Sequence, residues 1–119
     1  MDRKARIYVA GPYSKGDPCV NTHIAIQAGQ SLLDYGFVPF VPHVSHFWHT
    51  MIPNPYEVWM EWDAEWIKVC DGLVRLPGES AGADREVVLA NSLGIPVFLS
   101  IQEVLGYDWA SHPCEETGP

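Results

Sequence analysis

Basic side chains are scarce in this chain. Seven Lys and Arg stand against fifteen Asp and Glu, a formal net charge of −8 at pH 7. Proteins that hold long nucleic acids replace counterions with Lys and Arg, so this balance argues against a DNA or RNA polymer as partner. It still admits a small anion held by backbone amides and hydroxyls. Cysteine is scarce too. Cys19, Cys70 and Cys114 are odd in number and lack paired spacing, which reads as free thiols in a reducing cytoplasm. No apolar run approaches the roughly 20 residues of a membrane helix. The opening MDRKARIYVAG has only a short apolar stretch before Gly11 and reads as a first strand, not a secretion signal. Neither Gly-x-Gly-x-x-Gly nor Gly-Lys-Ser/Thr occurs, so NAD and ATP are not expected, and no other cofactor is indicated.

What is present is an alternation of strand and helix patterns in one domain spanning 1–119. Ala5–Ala10 is an apolar run ending at Gly11-Pro12, a buried strand stopping at a tight loop. Asn21 is a fitting N-cap for a helix carrying Ala25, Ala28 and Leu32 and ending at Gly36. Phe37–Val41 reads as an edge strand because Pro39 removes a ladder donor. Pro42–Pro55 reads as a long loop, Tyr56–Cys70 as a helix and Asp71–Leu76 as a strand. Ser80–Leu93 is then a helix, Ile95–Leu99 a strand and Gln102–Gly106 a short helix. The tail after about residue 107 is weakly patterned. Alternating elements imply a four- to five-stranded parallel sheet covered on both faces, an α/β sandwich. Ligands bind such sheets beyond the C-terminal strand ends, which gathers the loops at Gly11, Pro42 and Pro77 around one site.

Asp63 falls inside the apolar stripe Trp59, Trp62, Trp66, Ile67, Cys70. It is either a catalytic or substrate-orienting acid, or a structural carboxylate bonded to an amide or to Arg75. Glu86 lies early in the helix opened by Ser80, where the macrodipole favours a carboxylate and free amides favour an anion. An ionised carboxylate beside a sugar is what a glycosyl nucleophile requires; helix-dipole decoration is the plainer reading. Ser80 is an N-cap, a phosphate ligand, or both. Tyr13 acts through its hydroxyl on a carboxylate or a ribose, or merely packs. His43, His46 and His49, spaced by three, raise a metal site. No Cys pair or acid stands at ligand spacing, so one or two of them are expected to line the pocket instead, with Phe47 and Trp48 as a flat wall for a base.

Ile7-Tyr8-Val9-Ala10-Gly11-Pro12-Tyr13-Ser14, Pro42-His43-Val44, Asp63 with Asp71, and Ser80-x-Gly82-x-x-x-Glu86 together resemble the nucleoside 2-deoxyribosyltransferase superfamily. That superfamily includes the 2'-deoxynucleoside 5'-monophosphate N-hydrolases. The resemblance spans roughly Ile7 to Leu99. It implies a flavodoxin-like fold, a homodimer or larger homo-oligomer, and double displacement at an N-glycosidic bond. It further implies Glu86 as nucleophile, Asp63 as proton donor or sugar-orienting acid, and Tyr13 as the residue positioning the nucleophile. Gly11, Pro12, Ser14, His43, Ser80 and Gly82 would hold a nucleotide or nucleoside. In the superfamily, members acting on 5'-monophosphates tend to carry Ser six residues before the Glu, as at Ser80, which points to hydrolysis of a monophosphate. Base exchange between nucleosides is the alternative. A non-catalytic nucleotide-binding module would leave Glu86 turned away or tied to Arg85, and a metalloenzyme would bring the three histidines together.

Overall fold

The computed structural model describes residues 3–110. Four parallel strands, β1 (Arg6–Ala10), β2 (Val38–Phe40), β3 (Gly72–Arg75) and β4 (Val97–Phe98), form one sheet in the order β2-β1-β3-β4. The helices are α1 (Pro18–Asp34), α2 (Ser45–Met51), α3 (Tyr56–Ile67), α4 (Ala81–Ser92) and α5 (Ile101–Gly106). β2 is an edge strand, as Pro39 requires. This is the flavodoxin-like order, whose reversal between β1 and β3 opens a crevice at their C-terminal ends.

Strand periodicity sorts the core into two layers. Ile7 and Val9 join Ala25, Leu32, Val74 and Val104 on the side of α1 and α5. Tyr8 and Ala10 point the other way and join Ile67, Leu73, Ala83 and Ala90 under α3 and α4. The paired register Tyr8↔Leu73 and Tyr8↔Phe40 puts Tyr8 in the middle of that second layer. At the far end of the sheet Asp71 binds Arg3 through both oxygens, at 2.7 and 3.0 Å, and accepts the Arg6 amide at 2.8 Å. That clamp ties the starts of β1 and β3 together, away from the crevice.

Two local expectations are corrected. The N-cap of α1 is Asp17, whose carboxylate accepts the Cys19 and Val20 amides. Asn21 instead lies inside the helix and donates to the carbonyls of Tyr13 and Lys15, both at 2.8 Å, clamping the preceding loop. The segment 42–55 is not a bare loop. Pro42–Val44 forms a 3-10 turn that runs into α2, because Pro42 presets φ at the first helical position. The tail lies mainly outside the described residues, but Trp109 packs against Phe37, Phe98 and Tyr107 and donates to the Val104 carbonyl at 2.9 Å.

Among the described residues no helix is long and apolar enough to cross a membrane. Cys19 is exposed and Cys70 buried, both as free thiols; Cys114 lies outside the described residues.

Candidate active site

The crevice is built from the loop after β1, the turn after β2, the start of α3 and the β3–α4 loop. The last is shaped by Arg75, which donates to the Leu76 and Gly78 carbonyls and pairs with Asp84 at 2.9 Å. Gly78 has φ +116, and a Cβ there would meet Pro12 Cγ at 2.8 Å. The two loops therefore touch where only glycine fits. Ser80 caps α4 by accepting the Ala83 amide at 3.1 Å, which leaves its own O–H free to donate into the crevice.

At the floor three oxygen acids meet. Tyr8 is fully buried, and a buried phenol needs a partner. Its hydroxyl donates to Glu86 Oε2 at 2.5 Å. Asp63, from the facing side of α3, stands within hydrogen-bonding reach of both Glu86 and Tyr8. Burial, reinforced by the neighbouring Glu86 charge, pushes the Asp63 carboxyl up to about 8. Burial also raises Glu86, while hydrogen bonds from Tyr8 and Asp63 favour its ionised form. The helix-dipole expectation for Glu86 is thus corrected: desolvation outweighs it, since Glu86 sits in the second turn and is only 8% exposed. Tyr8 is held well above its ordinary value by burial and then by the two carboxylates, so it remains a donor. Hydrogen bonds from Tyr8 and Asp63 thus oppose burial at Glu86, whereas at Asp63 burial and the Glu86 charge act together. Arg75 is committed to the loop, so it is not the partner of Asp63.

Tyr13 does not reach Glu86. Its hydroxyl is 2.5 Å from His46 Nδ1, and the position expected for it on the carboxylate belongs to Tyr8. A signal for Tyr8 did exist in the sequence: it is the one phenol among the aliphatic residues Ile7, Val9 and Ala10 of the strand, and its hydroxyl had to find a buried acceptor.

Above the floor opens a cavity of about 700 Å³ lined by Gly11, Tyr13, Ser14, His43, Asp63, Ser80, Gly82 and Glu86. Pro12 stays outside the lining; its carbonyl accepts His43 Nε2–H at 2.9 Å. His43 is buried, Nδ1 has no partner among the described residues, and burial holds its pKa below the usual value. The aromatic wall is made by Tyr56 and Trp59 of α3, not by Phe47 and Trp48, which point outward and are 70% and 53% exposed. Lys15, His49, Asn54, Met60 and Glu79 also line it; His49 is one of the histidines expected there, whereas Asn54 and Met60 carry no local signal because only the tertiary fold brings α2 and α3 over the loops.

The three histidines diverge. His43 goes to Pro12, His46 to Tyr13, and His49 to Trp59. Among the described residues no group of three or more His, Cys, Asp or Glu is placed to hold a metal ion. Arg85 is engaged by Tyr56 instead of holding Glu86.

Fold and crevice together define a flavodoxin-like α/β domain with a carboxylate pair at the switch point of its sheet. The chain belongs to the family described as a domain of unknown function, DUF7768, whose pattern matches residues 5–100. The fold is similar to that of a 2-deoxyribosyltransferase from the psychrotolerant bacterium Bacillus psychrosaccharolyticus. That likeness has a TM-score of 0.63 at 22% identity, over 93% of this chain and 98% of the other. No curated protein matches the sequence.

Proposed function

We propose that this chain is an enzyme that breaks the N-glycosidic bond of a nucleoside or nucleotide by double displacement at Glu86. The observation that carries the reading is the Tyr8–Glu86–Asp63 cluster at the floor of the cavity. Glu86 attacks the anomeric carbon, the base leaves with a proton from Asp63, and a glycosyl ester on Glu86 forms. Tyr8 orients the attacking carboxylate and keeps it ionised. A second base, or water, then attacks the anomeric carbon, gives its proton to the Asp63 carboxylate and frees Glu86.

Transfer to a second base is the reading favoured first. It rests on the fold shared with a 2-deoxyribosyltransferase, a protein described as a biocatalyst for nucleoside synthesis. Hydrolysis of a 5'-monophosphate is the second reading, favoured by one feature. Ser80 and the free amides at the start of α4 line the cavity with no acid replacing the serine, and a hydroxyl and amides donate to a phosphate that an acid would repel. In both readings Gly11, Ser14, His43, Ser80 and Gly82 contact the substrate.

The chain works as a homodimer or larger homo-oligomer. α2 and the residue after it leave Phe47, Trp48, Met51 and Ile52 mostly exposed, and contiguous apolar surface of that kind marks an interface. We place the protein in the cytoplasm, where Cys19 stays reduced.

The test is base release from ribo- and deoxyribonucleosides and their 5'-monophosphates, with and without a second base, against Glu86→Ala. Exchange on nucleosides that the variant loses supports transfer. Release from monophosphates alone supports hydrolysis. Release that survives in Glu86→Ala, or no release from any substrate, sinks the reading.

A further inference from the structure

One wall of the cavity carries a hydrogen-bonding device that the carboxylate chemistry does not use. His49 Nδ1 lies 2.9 Å from Trp59 Nε1 and 3.2 Å from the Asn54 amide nitrogen. An indole N–H and a backbone N–H can only donate. Nδ1 therefore accepts from both, and in the neutral ring the proton sits on Nε2. The same two bonds turn the Nδ1 edge of the ring towards Trp59 and Asn54. Among the described residues Nε2 has no partner, although His49 lines the cavity. Trp59 lines it too, its ring fixed by the bond to His49 and by perpendicular contacts with Trp48 and Trp62 at 5.4 and 5.7 Å. The Asn54 side chain is tied down by donation to the Ile52 carbonyl at 3.1 Å.

We propose that His49 and Trp59 form the subsite for the nucleobase, with Trp59 packing on the ring and His49 Nε2–H as a fixed donor that selects a base carrying an oxo group over its amino counterpart. A donor whose tautomer is set by two obligate donors does not adapt. It pairs with a carbonyl oxygen and faces an exocyclic amine donor to donor, which leaves both groups unpaired. The inference rests on the glycosidic reading for the nature of the ligand and concerns a different wall of the same cavity.

The experiment uses matched pairs that exchange an oxo group beside a ring N–H for an amino group beside a bare ring nitrogen: deoxyinosine with deoxyadenosine and deoxyuridine with deoxycytidine, each with and without 5'-phosphate. Binding is followed by tryptophan fluorescence in Glu86→Ala, and kinetics in the unaltered chain. The oxo member is expected to bind about tenfold more tightly, the value of one hydrogen bond of about 1.4 kcal/mol. In His49→Phe the preference collapses through KM, with kcat little changed. His49→Gln, which keeps an acceptor for Trp59 and a donor for the base, restores part of it and guards against loss of folding. Nitrogen-15 NMR of His49 should show an unprotonated Nδ1 in the neutral ring. Turnover with the preference unchanged in His49→Phe, or a proton on Nδ1, overturns the subsite while leaving the glycosidase reading intact. Discriminating binding without turnover does the reverse, and failure of every nucleoside and nucleotide to bind overturns both.

Discussion

Asp63 and Glu86 share one buried environment but are assigned opposite tasks, and the split comes from their hydrogen bonds. Tyr8 favours the charged form of Glu86, while burial and the Glu86 charge keep Asp63 protonated to about pH 8. Two limbs of a pH–rate profile follow. Activity should fall as pH rises through about 8 and Asp63 loses its proton, and fall again at low pH as Glu86 gains one. Tyr8→Phe removes the bond that favours ionised Glu86, so the acid limb should move to higher pH and kcat should drop about 10–100-fold, the worth of a hydrogen bond to a charged group. Asp63→Asn should abolish the alkaline limb and cost about 10²–10⁴-fold in kcat; steady-state kinetics across pH 5–9 would check both. The same substitution should stabilise the fold. A carboxyl raised from 3.8 to about 8 binds its proton more tightly when folded. Its contribution is therefore complete below the unfolded value and lost as pH rises through the folded one. Against Asp63→Asn, the unaltered chain should lose stability steadily between pH 4 and 8, ending about 0.5–2 kcal/mol less stable, as urea titration would measure.

Among the elements, the loops after β1 and β3 matter most, because they bring Ser14 and Ser80 into the cavity that holds the carboxylates. They touch at Pro12 and Gly78 and are held by Asn21 from α1 and Arg75 from β3. Gly78→Ala combines a left-handed backbone with a 2.8 Å approach to Pro12. It should destabilise the domain by about 1–3 kcal/mol and raise KM more than it lowers kcat, since the floor is untouched. A variant with unchanged melting and kinetics would contradict that contact. Sequence patterns carried these elements well where one local rule decided them: Pro39 marked the edge strand, Ser80 the start of α4, Gly36 the end of α1. They failed where two rules competed. Asn21 is a fitting cap, but Asp17-Pro18 is a better start, since Pro18 presets the first helical φ. α2 was hidden because seven residues give too short a period to stand against a flanking proline.

At the scale of the whole molecule, an acidic domain displays an aromatic face around α2 and α3, with Trp48 and Trp66 partly exposed. If that face joins copies of the chain, sedimentation should show a dimer or larger species. Phe47→Glu with Trp48→Glu should shift it to monomer while leaving the Tyr8–Glu86 floor in place; an unaltered chain sedimenting as a monomer would exclude the interface.

Sequence alone determined the layered α/β class and the order of nearly all elements, which follow from period and turn residues. It singled out Asp63 by the penalty on a carboxylate inside an apolar stripe, and Glu86 by the resemblance that Ser80-x-Gly82-x-x-x-Glu86 carries. Only the tertiary structure decided which tyrosine meets Glu86. Tyr8 and Tyr13 are five residues apart, and the alternation of β1 sends the first under α4 while the loop carries the second to His46. It also decided that the aromatic wall comes from Tyr56 and Trp59 and that His49 Nδ1 is taken up by Trp59 and Asn54. Such facts depend on how α2 and α3 cross the mouth of the sheet, a packing of distant segments that no local spacing encodes.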